Sequence, residues 1–424
     1  MTRLLALVPL MALVLSGCLP SLPAAGPVTL RLLVPQLRDA PIDTTAERYK
    51  AIADQLNDAR LGFKLELTRL PTTAAEYADA VASENANPDR APDLIVAHHG
   101  DVPGLADRQA IVSLDRYAKD DRELHLDDYF PAVLAANRYH GQLYAIPYIC
   151  SPQVVYYNPR MFAAANLKPP SSTWTWQDFV QIARALTRDS DRDGKIDQFG
   201  FIQAPGVPSV ATYIWQNGGD IVDASGRVVL DQPAAVEAIK FMGDLTLAER
   251  ITPTMSDLSQ RSAEELLLKD RVGMVTFHVS IGMFWRGEAG LNFELAEPPQ
   301  GKARATLLTS SALAVGAKTR NPEVAYRALR AIVAEAEKGA LVPPRRSLAR
   351  DLRKIEPRLS DQDVRVIANA LEYARGPVYD NHQAVMTALR NYVELPVLTG
   401  QSSAQDAAKA GATAIHQLLQ PKKQ

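Results

Sequence analysis

Between residues 28 and 97 the hydrophobic period of the chain switches repeatedly, and this constrains the fold more than any other feature. Residues 28–34 alternate apolar side chains with Thr29 and Arg31, the period-2 pattern of a strand. Residues 46–58 place Tyr49, Ile52, Ala53 and Leu56 at helical spacing. Phe63, Leu65 and Leu67 return to alternation; the Ala-rich segment 74–83 is helical, with Tyr77 and Val81 on one side; residues 93–97, entered by Pro92, read as a short apolar strand. Strand–helix–strand–helix–strand implies a parallel sheet with helices on its faces, an α/β fold.

Parallel sheets of this kind bind ligands beyond the C-terminal ends of their strands. Two polar loops lie there. One follows the first strand and carries Gln36 and Arg38; the other follows the third and carries His98, His99, Gly100 and Asp101. The adjacent pair His98–His99, taken as extended chain, points its two rings to opposite sides, so it makes a poor metal pair.

The first 27 residues set the compartment. Arg3 precedes an apolar run from Leu4 to Leu15, which leads into Leu15-Ser16-Gly17-Cys18. This is a signal peptide ending in a lipobox: cleavage before Cys18, acylation of that cysteine, and a Pro/Ala/Gly-rich tether over residues 19–27. The run is too short to span a bilayer, which needs about 20 residues. The expected protein is exported and membrane-anchored, on the outer side of the cytoplasmic membrane or in the periplasm.

At 424 residues the chain exceeds the size at which one core stops growing, so two domains are expected. The net charge of −2, one lower once Arg3 leaves with the leader, gives no basis for nucleic-acid binding. With Cys18 committed to lipid, Cys150 stands alone, which excludes a disulfide framework and a cysteine metal cluster. Cys150 reads as a buried small apolar residue.

Thr175 with Asp178 three residues on is a capping box, and Phe179, Ile182, Ala183 and Leu186 form the buried stripe of the helix that follows. Residues 189–197 form a dense acidic loop. Asp189, Asp191 and Asp193 at its first, third and fifth places, Gly194 at the sixth and Asp197 beyond resemble the start of a calcium loop, but Gly200 stands where a bidentate Glu belongs. Two readings stay open: a partial structural calcium site, or an acidic turn between a helix and the strand at 199–202. No cofactor is required. The zincin, nucleophile-elbow, Walker A and dinucleotide motifs do not occur.

The ordered segments GQLYAIPY, VVYYNPRMF, STWTWQDF, DRDGKIDQFGF and WQNGGDIVDASGRVVLDQPAAVEAIKFMGDL resemble family 1 extracellular solute-binding proteins, as do KDRVGMVTFHVSIGMFW, ALAVGAKTRNPEVAYRALRAI and VPPRRSLA further on. These are the substrate-capturing lipoproteins of carbohydrate ABC importers. The resemblance covers essentially all of the mature chain. It implies a two-lobed periplasmic-binding-protein type II-like fold with a hinge and an inter-lobe cleft. It places residues 28–149 and 305–340 in lobe 1, and 150–304 and 341–424 in lobe 2, with crossings near Cys150, Arg304 and Leu341. It also implies a monomer that hands a carbohydrate to the transmembrane subunits of an ABC permease without chemical change, and is no enzyme. Sugar rings pack on aromatic planes, so Trp215 and Trp285 are expected to face the cleft beside Gln36, Arg38, His99 and Asp101, with Tyr148 near the hinge. Arg345, in the turn after Pro343-Pro344, offers a border position for an anionic ligand. A glycerol-phosphate or phosphodiester solute, and an exported carbohydrate-active enzyme, are the alternatives.

Overall fold

The computed structural model describes residues 26–38, 45–73, 75–203, 210–288 and 290–420. The lipobox and Cys18 lie outside them, as do most of the tether and part of the loop after Arg38.

Eleven strands are present among these residues: β1 (Val28–Leu37), β2 (Phe63–Thr72), β3 (Leu94–His98), β4 (Arg138–Tyr139), β5 (Gln142–Leu143), β6 (Ala145–Tyr157), β7 (Phe199–Gln203), β8 (Val272–His278), β9 (Glu294–Ala296), β10 (Thr306–Val315) and β11 (Ala374–Arg375). Nine of them form one sheet, with the order β2-β1-β3-β10-β6-β8-β7, β11 on β10 and β9 on β6. β4 and β5 pair separately. β1, β2 and β3 are mutually parallel, and so are β7 and β8. The alternating period therefore forms the expected parallel unit, with the helix Thr45–Asp58 between β1 and β2 and the helix Tyr77–Ala86 before β3.

Strand alternation gives each half of the sheet two cores. In the first half Leu30, Leu32, Val34 and Val96 face one cluster, which holds Tyr49 and the helix Pro322–Lys338; Leu33, Ile95 and Ala97 face another, with Tyr77 and Leu105. In the second half Val155 and Tyr157 join a cluster with Phe179, Trp215 and Ile239, while Val154 and Tyr156 join one with Phe277, Met283 and Ile367. The capping box forms as expected: Thr175 Oγ1 accepts the Asp178 N–H, the Asp178 carboxylate accepts the Thr175 N–H, and Phe179, Ala183 and Leu186 are buried.

The two extended runs around residue 150 are not separate elements. They form one strand, β6, that passes from one half of the sheet to the other. Its early residues pair with β10 and its later ones with β8 and β9. Pro152 is tolerated because it sits where β6 changes partners. β10 runs alongside, antiparallel, so two strands carry the chain between the halves. The ladder slips at the crossing: Ser311 pairs with Ile149 but Ala312 with Pro147, which leaves Tyr148 as the extra residue of a bulge. A third segment supports the same point, where the Cys150 N–H donates to Val342 O at 3.0 Å. Cys150 is buried there, and burial raises its thiol pKa, so it holds no thiolate.

Candidate functional site

The parallel strands of both halves end at the crossing. In register, His98 at the end of β3 pairs with Ser311 of β10, and His278 at the end of β8 pairs with Gln153 of β6. Strand ends from opposite halves therefore face one another across β6 and β10. Between them lies a groove with two cavities, of about 360 Å³ and about 630 Å³. The smaller is floored by His98, His99, His278, Ser280, Thr309 and His382. The larger runs outward from Asp101, His382 and Gln383 to Asn391, Tyr392 and Gln417.

His98 and His99 do not point apart. The chain leaves the extended state after His98 and enters a 3-10 turn, His99–Asp101. His98 Nδ1 accepts the Gly100 N–H, and the Asp101 carboxylate accepts the His98 N–H at 3.0 Å. The turn folds the second ring back beside the first, with centroids 4.3 Å apart, and both line the same cavity. The period-2 argument fails because it holds only while the chain stays extended.

Two further histidines, scattered in sequence, complete the floor. His278 Nδ1 is 2.9 Å from Ser151 O, and Ser151 Oγ is 3.2 Å from Ser280 Oγ. His382 starts the helix His382–Ala388; its ring lies 5.7 Å from that of His99 and stacks on Tyr379. Burial pulls His278 and His382 down to about 4. Burial, with the fields of His382 and His278 added, pulls His98 to about 3, and His99 also falls well below its ordinary value. The floor is therefore neutral at pH 7. Burial pushes the Asp101 carboxyl the other way, up to about 7.

Of the residues singled out from sequence, His99 and Asp101 line the groove. Gln36 is exposed near the end of β1, and the β1–β3 register extended forward brings it level with His98. Arg38 is exposed beside it, 3.7 Å from Glu76. The others lie elsewhere. Tyr148 is turned by its bulge into the first core, edge-on to Tyr49 at 5.8 Å. Trp215 is buried; its Nε1 donates to Asp220 at 3.0 Å, Arg375 lies over its ring, and it borders a separate cavity of about 300 Å³. Trp285 is half-buried against the cluster that holds Phe277, Met283 and Ile367, more than a turn past Ser280 and Ile281, which are the groove-lining residues of its helix, Val279–Glu288. Arg345 is partly buried and fully engaged. Its Nε stands 2.9 and 2.8 Å from the two Glu337 oxygens, Nη1 donates to Leu124 O and Nη2 to Tyr129 Oη. It is a structural cation held by Glu337, Leu124 and Tyr129, and not a border of the groove.

His278, Ser280, His382, Gln383 and Tyr392 escaped the sequence reading. His278 carried a signal, since it ends an apolar strand as His98 does. Tyr392 had none; it is 50% exposed on a π-helical turn, Leu389–Glu394, at the rim of the larger cavity.

In the acidic loop, oxygens of Asp189, Asp191 and Asp197 lie within 4.8 Å of one another, and Asp189 Oδ1 has no hydrogen-bond partner. Asp193 is not in that group: it accepts the Lys195 N–H at 2.8 Å. Three donors suit a hard cation only if water completes the shell.

Residues 43–338 match the family of bacterial extracellular solute-binding proteins. A putative binding protein of Brucella abortus is 24% identical over 224 residues, 51% of this chain and 52% of that protein; the chain thus spans about half the length of such curated relatives. Among solved structures, an ABC substrate-binding protein from Listeria monocytogenes in complex with cycloalternan superposes with a TM-score of 0.74 at 17% identity, over 92% of this chain and 98% of that one. The cyclic α-maltosyl-1,6-maltose binding protein of Arthrobacter globiformis gives 0.73 at 18%, over 93% and 99%. These likenesses establish the two-lobed α/β fold. The chain belongs to the bacterial extracellular solute-binding protein family.

Proposed function

We propose that this protein captures a carbohydrate in the groove between its two halves and delivers it, unchanged, to the transmembrane subunits of an ABC permease. The observation that carries the reading is the groove itself. Strand ends of both halves converge there on uncharged polar side chains, and only a few strands join the halves. A ligand that touches both sides binds the closed arrangement better and shifts the population toward it. The lobes are taken as residues 28–149 with 305–340 and 150–304 with 341–424, hinged where β6 and β10 cross. Neighbours of the same fold were solved with cycloalternan or are described as binding a cyclic maltosyl sugar, which favours a saccharide. Acylation of Cys18 would hold the receptor at the membrane as a monomer.

The phosphodiester alternative loses its main support in the engagement of Arg345 by Glu337. Calorimetry and mass spectrometry on purified protein with oligosaccharides test the reading. Saturable binding with intact sugar recovered is expected; conversion of the sugar to product would replace the receptor by an enzyme.

A further inference from the structure

The groove floor carries a fixed pattern of donors and acceptors. His98 Nδ1 accepts the Gly100 N–H at 3.3 Å, and His99 Nδ1 accepts the Ser310 N–H at 3.3 Å. A ring nitrogen that accepts holds no proton, so the single proton of each neutral ring sits on Nε2. His278 is the reverse. Its Nδ1 faces the Ser151 carbonyl, which can only accept, so Nδ1 holds the proton and Nε2 is a bare lone pair. That Nε2 is buried with no hydrogen-bond partner, and so is His382 Nδ1. Buried polar atoms are ordinarily paired, so two unpaired ones in the walls of one cavity point to a ligand.

We propose that three of these imidazoles read an uncharged, polyhydroxylated solute, with N–H donors on His98 and His99 and a lone pair on His278 each meeting a hydroxyl. The inference rests on the receptor reading above and narrows its ligand class. A hydroxyl both donates and accepts, so neighbouring hydroxyls satisfy donors and lone pairs together. A phosphate or carboxylate only accepts and would set its oxygens against the His278 lone pair. The charged residues bordering the two cavities are Asp79, Asp101 and Arg108, and Arg108 is already paired with Asp79 at 2.6 Å, which leaves no spare cation for an anion among the described residues. A metal ion would meet the N–H groups of two rings. Among the described residues, moreover, only Asp189, Asp191 and Asp197 bring three ligand atoms within 4.8 Å of one another.

Two measurements test this on the purified mature chain. In the ligand-free protein, ¹⁵N-histidine spectra should show Nε2–H for His98 and His99 and Nδ1–H for His278; reversal at any of the three overturns the proposal. Calorimetry then compares neutral sugars and polyols with their phosphorylated and carboxylated counterparts and with Zn²⁺ alone. The tightest ligand should be neutral. His278→Phe should weaken it by about tenfold or more, and His278→Gln, which returns an acceptor near the Nε2 position, should recover most of that loss. Circular dichroism and the unfolding midpoint confirm that both variants fold. An anion or zinc binding more tightly than every neutral compound overturns the inference. A neutral ligand indifferent to His278→Phe also overturns it while leaving the receptor reading intact, whereas turnover of the neutral ligand removes the receptor reading itself.

Discussion

Gly100 lies so close to the imidazole of His382 that a Cβ at position 100 would stand 2.6 Å from Cδ2 and 2.8 Å from Nε2. Gly100 belongs to the turn after β3 in the first half; His382 opens a helix packed on the second. Gln383, the next residue, lines both cavities at the same place. This contact joins the halves across the groove, and His382 lines both of its cavities.

Gly100→Ala should force that contact apart. The His382 ring cannot simply swing aside, because it is stacked on Tyr379 and set edge-on to His99. Overpacking of this kind costs about 1–3 kcal/mol. The expected result is a lower unfolding midpoint together with a larger radius of gyration in X-ray scattering. A variant with native stability and native scattering would show that the halves are not held together here.

The sheet was legible because its signals are local. Alternation at Leu30, Leu32 and Val34, and the Thr175–Asp178 box, depend on neighbours a few residues away. The floor of the groove was not, because it is assembled from residues 98, 99, 278 and 382, whose nearness depends on how distant strands pair. Sequence logic also favoured tryptophans as sugar platforms, yet Trp215 is enclosed by Asp220 and Arg375 and Trp285 leans on the core. A large aromatic near a glycine-rich loop satisfies packing as readily as binding, and here packing took it. The Arg345 expectation failed for a related reason: its partner, Glu337, sits near the end of the helix Pro322–Lys338, and no local pattern pairs the two.

The Arg345–Glu337 pair supplies a direct test of its structural role. Both side chains are nearly inaccessible, at 12% and 5% exposure. Arg345→Met leaves the Glu337 carboxylate buried without its cation and should cost about 3–5 kcal/mol. Arg345→Met combined with Glu337→Met should recover much of the loss. Affinity for the solute should be unchanged in whatever fraction remains folded. A stable Arg345→Met protein with lost affinity would restore Arg345 to the binding site.

For the acidic loop, proximity of the Asp189, Asp191 and Asp197 oxygens, with Asp189 Oδ1 unpaired, gives the calcium reading a geometry to test. Millimolar calcium should then raise the unfolding midpoint in proportion to RT ln(1 + [Ca²⁺]/Kd), and EDTA should reverse it. Asp191→Asn should remove the response without altering solute affinity. An identical midpoint in calcium and EDTA would return the loop to the plain-turn reading.

Acidification tests the buried neutral floor as a whole. His98 is held at about 3 and His278 and His382 at about 4, each below the ordinary 6.5. Between pH 6.5 and 4 the unfolded chain takes up protons that the folded floor refuses, so these groups stabilise the fold above pH 6.5 and that stability is lost as pH falls. Asp101 opposes them. Its carboxyl is held at about 7 against an ordinary 3.8, so over the same window the folded state binds the proton more readily and gains stability on acidification. At about 1.4 kcal/mol per pK unit, each histidine forfeits about 2 kcal/mol at pH 5 while Asp101 returns a little under 3. Three histidines outweigh Asp101; Glu337, also raised by burial, adds to the carboxyl side, and His99 adds to the histidines. Carboxylates held low by hydrogen bonds, such as Asp223 at about 2, contribute only at more acidic pH. Net destabilisation on the order of 3–5 kcal/mol is therefore expected between pH 7 and pH 5. Denaturant titrations at the two pH values should show it, and His278→Gln should flatten the slope. A midpoint that stays constant or rises on acidification would mean that the imidazoles are solvated or already charged, and the donor pattern assigned to the groove would fall with it.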